Sequence, residues 1–231
     1  MKLQTLFLLA IPLTTPAAQA ELHIIPRIAI EHQSYKTEFA EEKYTAPVFG
    51  LNLFHSSGFF FDFEFLEFSK EISVNSTDPD TTELEIGVRE ELAITGGYRF
   101  GSGITVFTGY KDTFTSAETS NLGAIDFKTK GLFVGISDSF KLNNKMQLSL
   151  SAAMASMVGQ VNSDSWNSSS DFDSSNHDGS ALGFSTSAAF NISIYKGLIC
   201  SMGAKFQSYD YSDEIATEEI TSIFAKLAYR F

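Results

Sequence analysis

From about residue 22 to the end, apolar and polar residues alternate with a period of two rather than 3.6. Phe59, Phe61, Phe63 and Phe65 share one parity, and Asp62 and Glu64 hold the other. Leu148, Leu150, Ala152 and Met154 alternate with Ser149, Ser151 and Ala153. Ile223, Ala225, Leu227, Tyr229 and Phe231 alternate with Ser222, Lys226 and Arg230. Each set makes a strand with one apolar and one mixed face. Ten such segments are predicted, near 22–34, 44–54, 59–70, 83–100, 104–114, 124–138, 146–160, 181–194, 198–209 and 218–231. Pro47 lacks a ladder donor, so the second strand is expected to be short, and eight or twelve strands stand as alternatives to ten.

The connections alternate in length. Four are short: 55–58, 101–103, 139–145 and 195–197. Five are longer and polar: about 35–43, 71–82, 115–123, 161–180 and 210–217. Short turns at one end and long loops at the other are the rhythm of a membrane barrel, with the short side periplasmic and the long side extracellular. A water-soluble sandwich would alternate as well, but without that rhythm. The expected fold is therefore all-β: a closed antiparallel up-and-down transmembrane β-barrel, in which the apolar parity faces lipid. The strands must close, because an open edge in hydrocarbon leaves backbone groups unsatisfied.

The first twenty residues change the picture only by adding an address. Lys2 supplies a positive start, residues 6–13 a short apolar run, and Ala18-Gln19-Ala20 a small-residue cleavage site. Residues 1–20 are expected to be a signal peptide and 21–231 the barrel domain. The run is too short to span a bilayer as a helix, which takes about 20 residues.

A net charge of −12 argues against a nucleic-acid partner, which needs basic patches. Cys200 is the only cysteine, so neither an intramolecular disulfide nor a cysteine-based metal site can form. No cofactor motif, zinc-binding helix or nucleophile elbow is present.

The C-terminal Leu227-Ala228-Tyr229-Arg230-Phe231 resembles the last strand of bacterial outer-membrane β-barrel proteins, which alternate apolar residues and end in an aromatic, usually Phe. Gly97-Tyr98-Arg99-Phe100, leading through Gly-Ser-Gly to Phe107-Thr108-Gly109-Tyr110, looks like a periplasmic hairpin of that class. The resemblance implies that Tyr229 and Phe231 form a signal read by the barrel-assembly machinery. The expected surroundings are outer-membrane lipid and lipopolysaccharide, with both termini periplasmic.

Inward parity predicts a set of lumen charges: Arg27, Glu31, Asp62, Glu64, Arg89, Glu91, Arg99, Lys111, Lys205, Lys226 and Arg230. They line a narrow pore for small polar solutes or form a salt-bridge plug; ten strands leave room for either, since wide water channels take about 16. Ser149, Ser151, Ala153, Ser185, Ser187 and Ala189 leave open space beside strands seven and eight. A structural or narrow-pore role is the first expectation, and binding by the extracellular loops the second. Asp164, Asp171, Asp173, Asp178 and His177 in the fourth long loop read as a solvated surface, and their spacing does not match an EF-hand. An enzyme is the third expectation. His32-Gln33-Ser34 resembles the His-x-Ser of outer-membrane lipid A deacylases, although Tyr35 stands where that family has Asn. An omptin-like protease would need rim Asp and His groups, for which His177 and the loop aspartates are the candidates.

Overall fold

The computed structural model describes residues 21–37, 41–70, 85–119, 123–166, 172–212 and 217–231; the expected signal segment lies outside them. Ten strands run in chain order: β1 Leu22–Lys36, β2 Glu41–His55, β3 Phe59–Ser69, β4 Glu85–Arg99, β5 Thr105–Thr119, β6 Gly123–Lys141, β7 Met146–Trp166, β8 Phe172–Tyr195, β9 Leu198–Tyr211 and β10 Glu218–Tyr229. Each is antiparallel to its chain neighbours, and β1 pairs with β10 from Arg27–Ala228 to Lys36–Glu219, so the sheet closes on itself. All ten predicted strands are present.

The short turns and both ends of the described chain lie at one end of the barrel, called here the terminal end; the longer connections lie at the far end. Gly58 and Gly197 turn two of the short connections with φ of 104° and 90°, a conformation that a side chain opposes.

The prolines sit where a ladder stops. Pro47 pairs with Ile30 on the β1 side, but the β2–β3 ladder begins only at Val48–Leu66. Pro26 pairs with Leu51, while the β1–β10 ladder begins at Arg27. A missing N–H is tolerated at such points. The second strand is consequently 15 residues long and not short, which corrects the expectation drawn from Pro47.

Two predicted loops are largely strand. β7 and β8 stay paired from Met146–Ile192 to Trp166–Phe172, so the segment 161–180 is mostly a hairpin extension. β5 and β6 likewise pair as far as Thr119–Gly123. Both faces of these extensions are polar in sequence, so the hydrophobic alternation that reveals a half-buried strand vanishes while the ladder continues.

The two parities separate cleanly. Outward positions carry Ile30, Phe61, Leu132, Val134, Met154, Leu182, Met202 and Ile223, all exposed. The apolar belt they form is far too large for a water-exposed surface and matches a bilayer's hydrocarbon. At the terminal end Phe59, Tyr98 and Phe100 pack edge to face, as do Tyr229 and Phe231, giving an aromatic rim of the kind that sits at a membrane interface. In vesicles, Val134→Arg is expected to lower folding stability by about 2–4 kcal/mol, the range for a charge facing mid-bilayer lipid. Denaturant titration of the refolded barrel measures it; an unchanged midpoint would place Val134 outside the hydrocarbon.

Candidate functional site: a charge-filled lumen

The inward face of each strand must hold whatever the closed sheet encloses. In the far half it is packed. Tyr35, Tyr44, Ile86, Met157, Ala181, Tyr209, Tyr211 and Ile220 are buried together there, with Phe127 against them. Among these apolar groups lie Arg89 and Glu218, whose side chains are 0% and 2% exposed.

Arg89 on β4 reaches across the lumen. Its Nη1 donates to Thr115 Oγ1 at 2.7 Å and to Glu218 Oε1 of β10 at 3.4 Å, and the guanidinium lies 4.7 Å from the centre of the Tyr35 ring. The other Glu218 oxygen accepts from the Tyr211 hydroxyl at 2.9 Å. Two residues along the same strand, Glu91 faces three cations: Lys111 at 3.1 Å, Lys205 at 3.7 Å and Arg89 at 3.8 Å. β4 and β9 are diametrically placed in the ring, so the Glu91–Lys205 pair spans the barrel. Lys111 also donates to Gln207 Oε1 and the Tyr209 hydroxyl of β9, both at 3.4 Å. Gln33 donates to Glu31 at 3.0 Å and accepts from Tyr44.

A second group lies nearer the terminal end. Arg27 bridges Asp62 and Glu64, with 2.6 Å to Asp62 Oδ2 and 2.8 Å to Glu64 Oε2. Lys226 of β10 approaches the same Glu64 oxygen at 3.6 Å, and Asn52 donates to Asp62 at 3.1 Å. The Arg27 side chain lies flat over Gly50 of β2, where a Cβ would collide with it. Gly183 leaves the same kind of space for the Tyr209 ring.

Cations and anions balance: Arg27, Arg89, Lys111, Lys205 and Lys226 against Glu31, Asp62, Glu64, Glu91 and Glu218. They interleave instead of segregating to opposite walls. Breaking such a buried set one member at a time is costly, because the partner is left unpaired in low dielectric.

The opposite wall differs. On β6 to β8 the inward residues of the terminal half are small or polar, among them Ser137, Ser149, Ser151, Ala153, Ser187, Ala189 and Asn191, and all are only half-buried. The hydroxyls of Ser151 and Ser187 are bonded at 2.7 Å, and Asn191 links Ser149 to Ser201 at 3.0 and 2.7 Å. A cavity of about 180 Å³ opens between this wall and Glu91, Lys111 and Lys205.

Nine of the eleven predicted lumen charges stand in this interior. Arg99 and Arg230 do not: both are exposed at the terminal rim, where inward parity no longer implies enclosure because the strand is ending. The inward set read from the sequence did not include Glu218, the first residue of the predicted tenth strand. Glu218 shares parity with Ser222 and Lys226, so counting back along β10 would have found it. Nor did that set include Tyr35, Tyr44, Tyr209 and Tyr211, which supply much of the packing.

His32 is exposed, its Nδ1 3.0 Å from Thr45 Oγ1, and Ser34 stands on the same outward parity. Neither reaches the lumen, and among the described residues no carboxylate pairs with that imidazole. The side chains of Asp164, Asp173, His177 and Asp178, and the residue Asp171, lie outside what is described. Among the described residues no group of three metal-ligating side chains forms.

The sequence matches no family model and no curated protein. Among solved structures, the outer membrane protease OmpT of Escherichia coli is similar over 92% of this chain and 96% of its own, with a TM-score of 0.60 at 10% identity. Looser likenesses, which carry no argument, are to Neisserial surface protein A (90% and 97% covered, 10% identity, TM-score 0.42) and to the attachment invasion locus protein Ail of Yersinia pestis (90% and 98%, 12%, 0.43). The OmpT likeness speaks to fold alone. Together with the closed ten-strand ring and its apolar outer belt, it gives the chain the fold of the outer-membrane β-barrel proteins.

Proposed function

We propose that this protein is a sealed structural barrel of the outer membrane, with its terminal end in the periplasm and its far end outside the cell, whose lumen is a plug above a blind periplasmic vestibule. The observation that carries this reading is the burial of the Arg89–Glu218 pair among the tyrosines of the far half. A diffusing ion would have to displace a charge-balanced network that spans the barrel, against a cost of several kcal/mol. The half-buried serine wall below accepts water without providing a through path.

A sealed barrel acts through what it presents. β7 and β8, of 21 and 24 residues, far exceed the roughly 9–11 that a tilted strand needs to cross a bilayer. The surplus forms a polar hairpin rising from the far end, which supports a scaffold role in which the extracellular hairpins meet a partner. This scaffold reading of the plug replaces the narrow pore as the preferred role.

In planar bilayers the refolded chain from residue 21 is expected to give no discrete conductance steps. Stable steps that shrink in Lys226→Gln would instead establish the narrow pore. Arg89→Ala should cost about 3–5 kcal/mol of stability by leaving Glu218 and Glu91 underpaired. Arg99→Ala at the rim should stay within about 0.5 kcal/mol of the parent. Urea titration in vesicles compares the two, and equal effects would contradict the plug.

A further inference from the structure

Outside the barrel, the outward residues of β6 change character abruptly toward the far end. Ile136, Val134 and Leu132 belong to the apolar belt at 51%, 56% and 65% exposure, and the next two outward positions are Lys130 and Lys128, both exposed. Two positions along one strand place their Cα atoms about 7 Å apart, on the same face.

Their surroundings leave the ammonium groups available. Across β5, Lys128 faces Phe114 and its Nζ lies 5.3 Å from that ring's centre. Lys130 faces Asp112, whose carboxylate accepts from the Tyr110 hydroxyl at 3.2 Å. Among the described residues the ion pairs do not include either lysine. On β7, Val158 stands across from Lys130 and Met154 across from Val134, at 53% and 69% exposure, with the small Ser156 between them opposite Leu132.

We infer that Lys128 and Lys130 form a binding site for the phosphate of a phosphorylated glycolipid in the outer leaflet, whose acyl chain lies along the exposed apolar residues of β6 and β7. The chain carries a net charge of −12, and in its far half the neighbouring outward strands β3 and β4 set Glu67 against Glu90. On such a surface an anionic headgroup approaches best where two lysines stand side by side outside the ion pairs of the described residues. The apolar belt fixes their height: the first charges beyond the hydrocarbon meet the headgroup layer. Phe114 beneath Lys128 and Tyr110 beside Asp112 supply the aromatic groups that favour this interface. The inference rests on the far end lying in the outer leaflet, as proposed above.

The test uses the folded, full-length mature barrel in detergent micelles, with bis-phosphorylated lipid A, its dephosphorylated form and phosphatidylglycerol as probes, and native mass spectrometry as the readout. Binding in detergent does not depend on membrane sidedness, so loss of this site and failure of the proposed orientation are read separately. Lipid A is expected to bind more tightly than either comparison lipid. Each of Lys128→Gln and Lys130→Gln should weaken it about fivefold, and the double variant more than tenfold. Lys145→Gln, in a turn at the terminal end, should change nothing. Heat-modifiable mobility confirms that each variant is folded. Lipid A bound equally by the double variant and the parent, or no better than its dephosphorylated form, overturns the site. Phosphatidylglycerol bound as tightly as lipid A overturns its assignment to the glycolipid.

Discussion

Closure of β1 onto β10 is the constraint on which the rest of this molecule depends. Backbone N–H and C=O groups facing hydrocarbon have no water to bond, so each strand needs a partner on both sides. The ring supplies them, and with the ring comes a strict division of side chains: even positions of β1 outward, odd positions inward, with the matching parity on every other strand. A one-residue slip anywhere would exchange the faces and put charges such as Arg27 and Glu31 into lipid. The prolines obey the same rule, lying beyond the last rung on the side where their donor would be missed.

What the ring encloses follows from burial. Charges on the inner face leave water when the far half fills with tyrosine, isoleucine and methionine, and they are stable there only as mutual partners. The cross-lumen contacts are the consequence: Arg89 to Glu218, Lys205 to Glu91 and Lys111 to Gln207 each tie strands that are not neighbours in the sheet. The barrel is thereby braced through its interior as well as around its circumference. On β6 to β8 many inner residues are too small to reach across, and they leave a cavity of about 180 Å³.

The fold was legible because period-two alternation and turn spacing report directly on a half-apolar strand, and all ten strands followed from them. The far ends of β5 to β8 were not, because a hairpin with water on both faces has no apolar face to alternate. Nine of the charges that parity set inward stand in the interior, while Arg99 and Arg230 are exposed at the rim, because parity says nothing about where a strand leaves the enclosure. Glu218 was left out of the inward set although it shares parity with Ser222 and Lys226; it stands beside Glu219 and behind Asp213 and Glu214 in an acidic run. Which charge meets which was beyond reach, since Glu91 and Lys205 are joined by the geometry of the ring and by nothing in their local sequence. The outward lysines of β6 could be read from sequence as exposed; that neither joins an ion pair among the described residues, although Asp112 stands across from Lys130, only the packed structure reveals.

Sidedness of water access tests the central claim most directly. In a Cys200→Ser background, single cysteines at Ser187, in the terminal half, and at Ala181, in the packed far half, would be exposed to a membrane-impermeant thiol reagent in oriented vesicles. The account predicts that Cys at 187 reacts only when reagent reaches the terminal end, and that Cys at 181 stays unreactive from both sides. Reaction at 187 from the far side, at a rate matching that from the terminal side, would show a continuous aqueous path and contradict a sealed barrel.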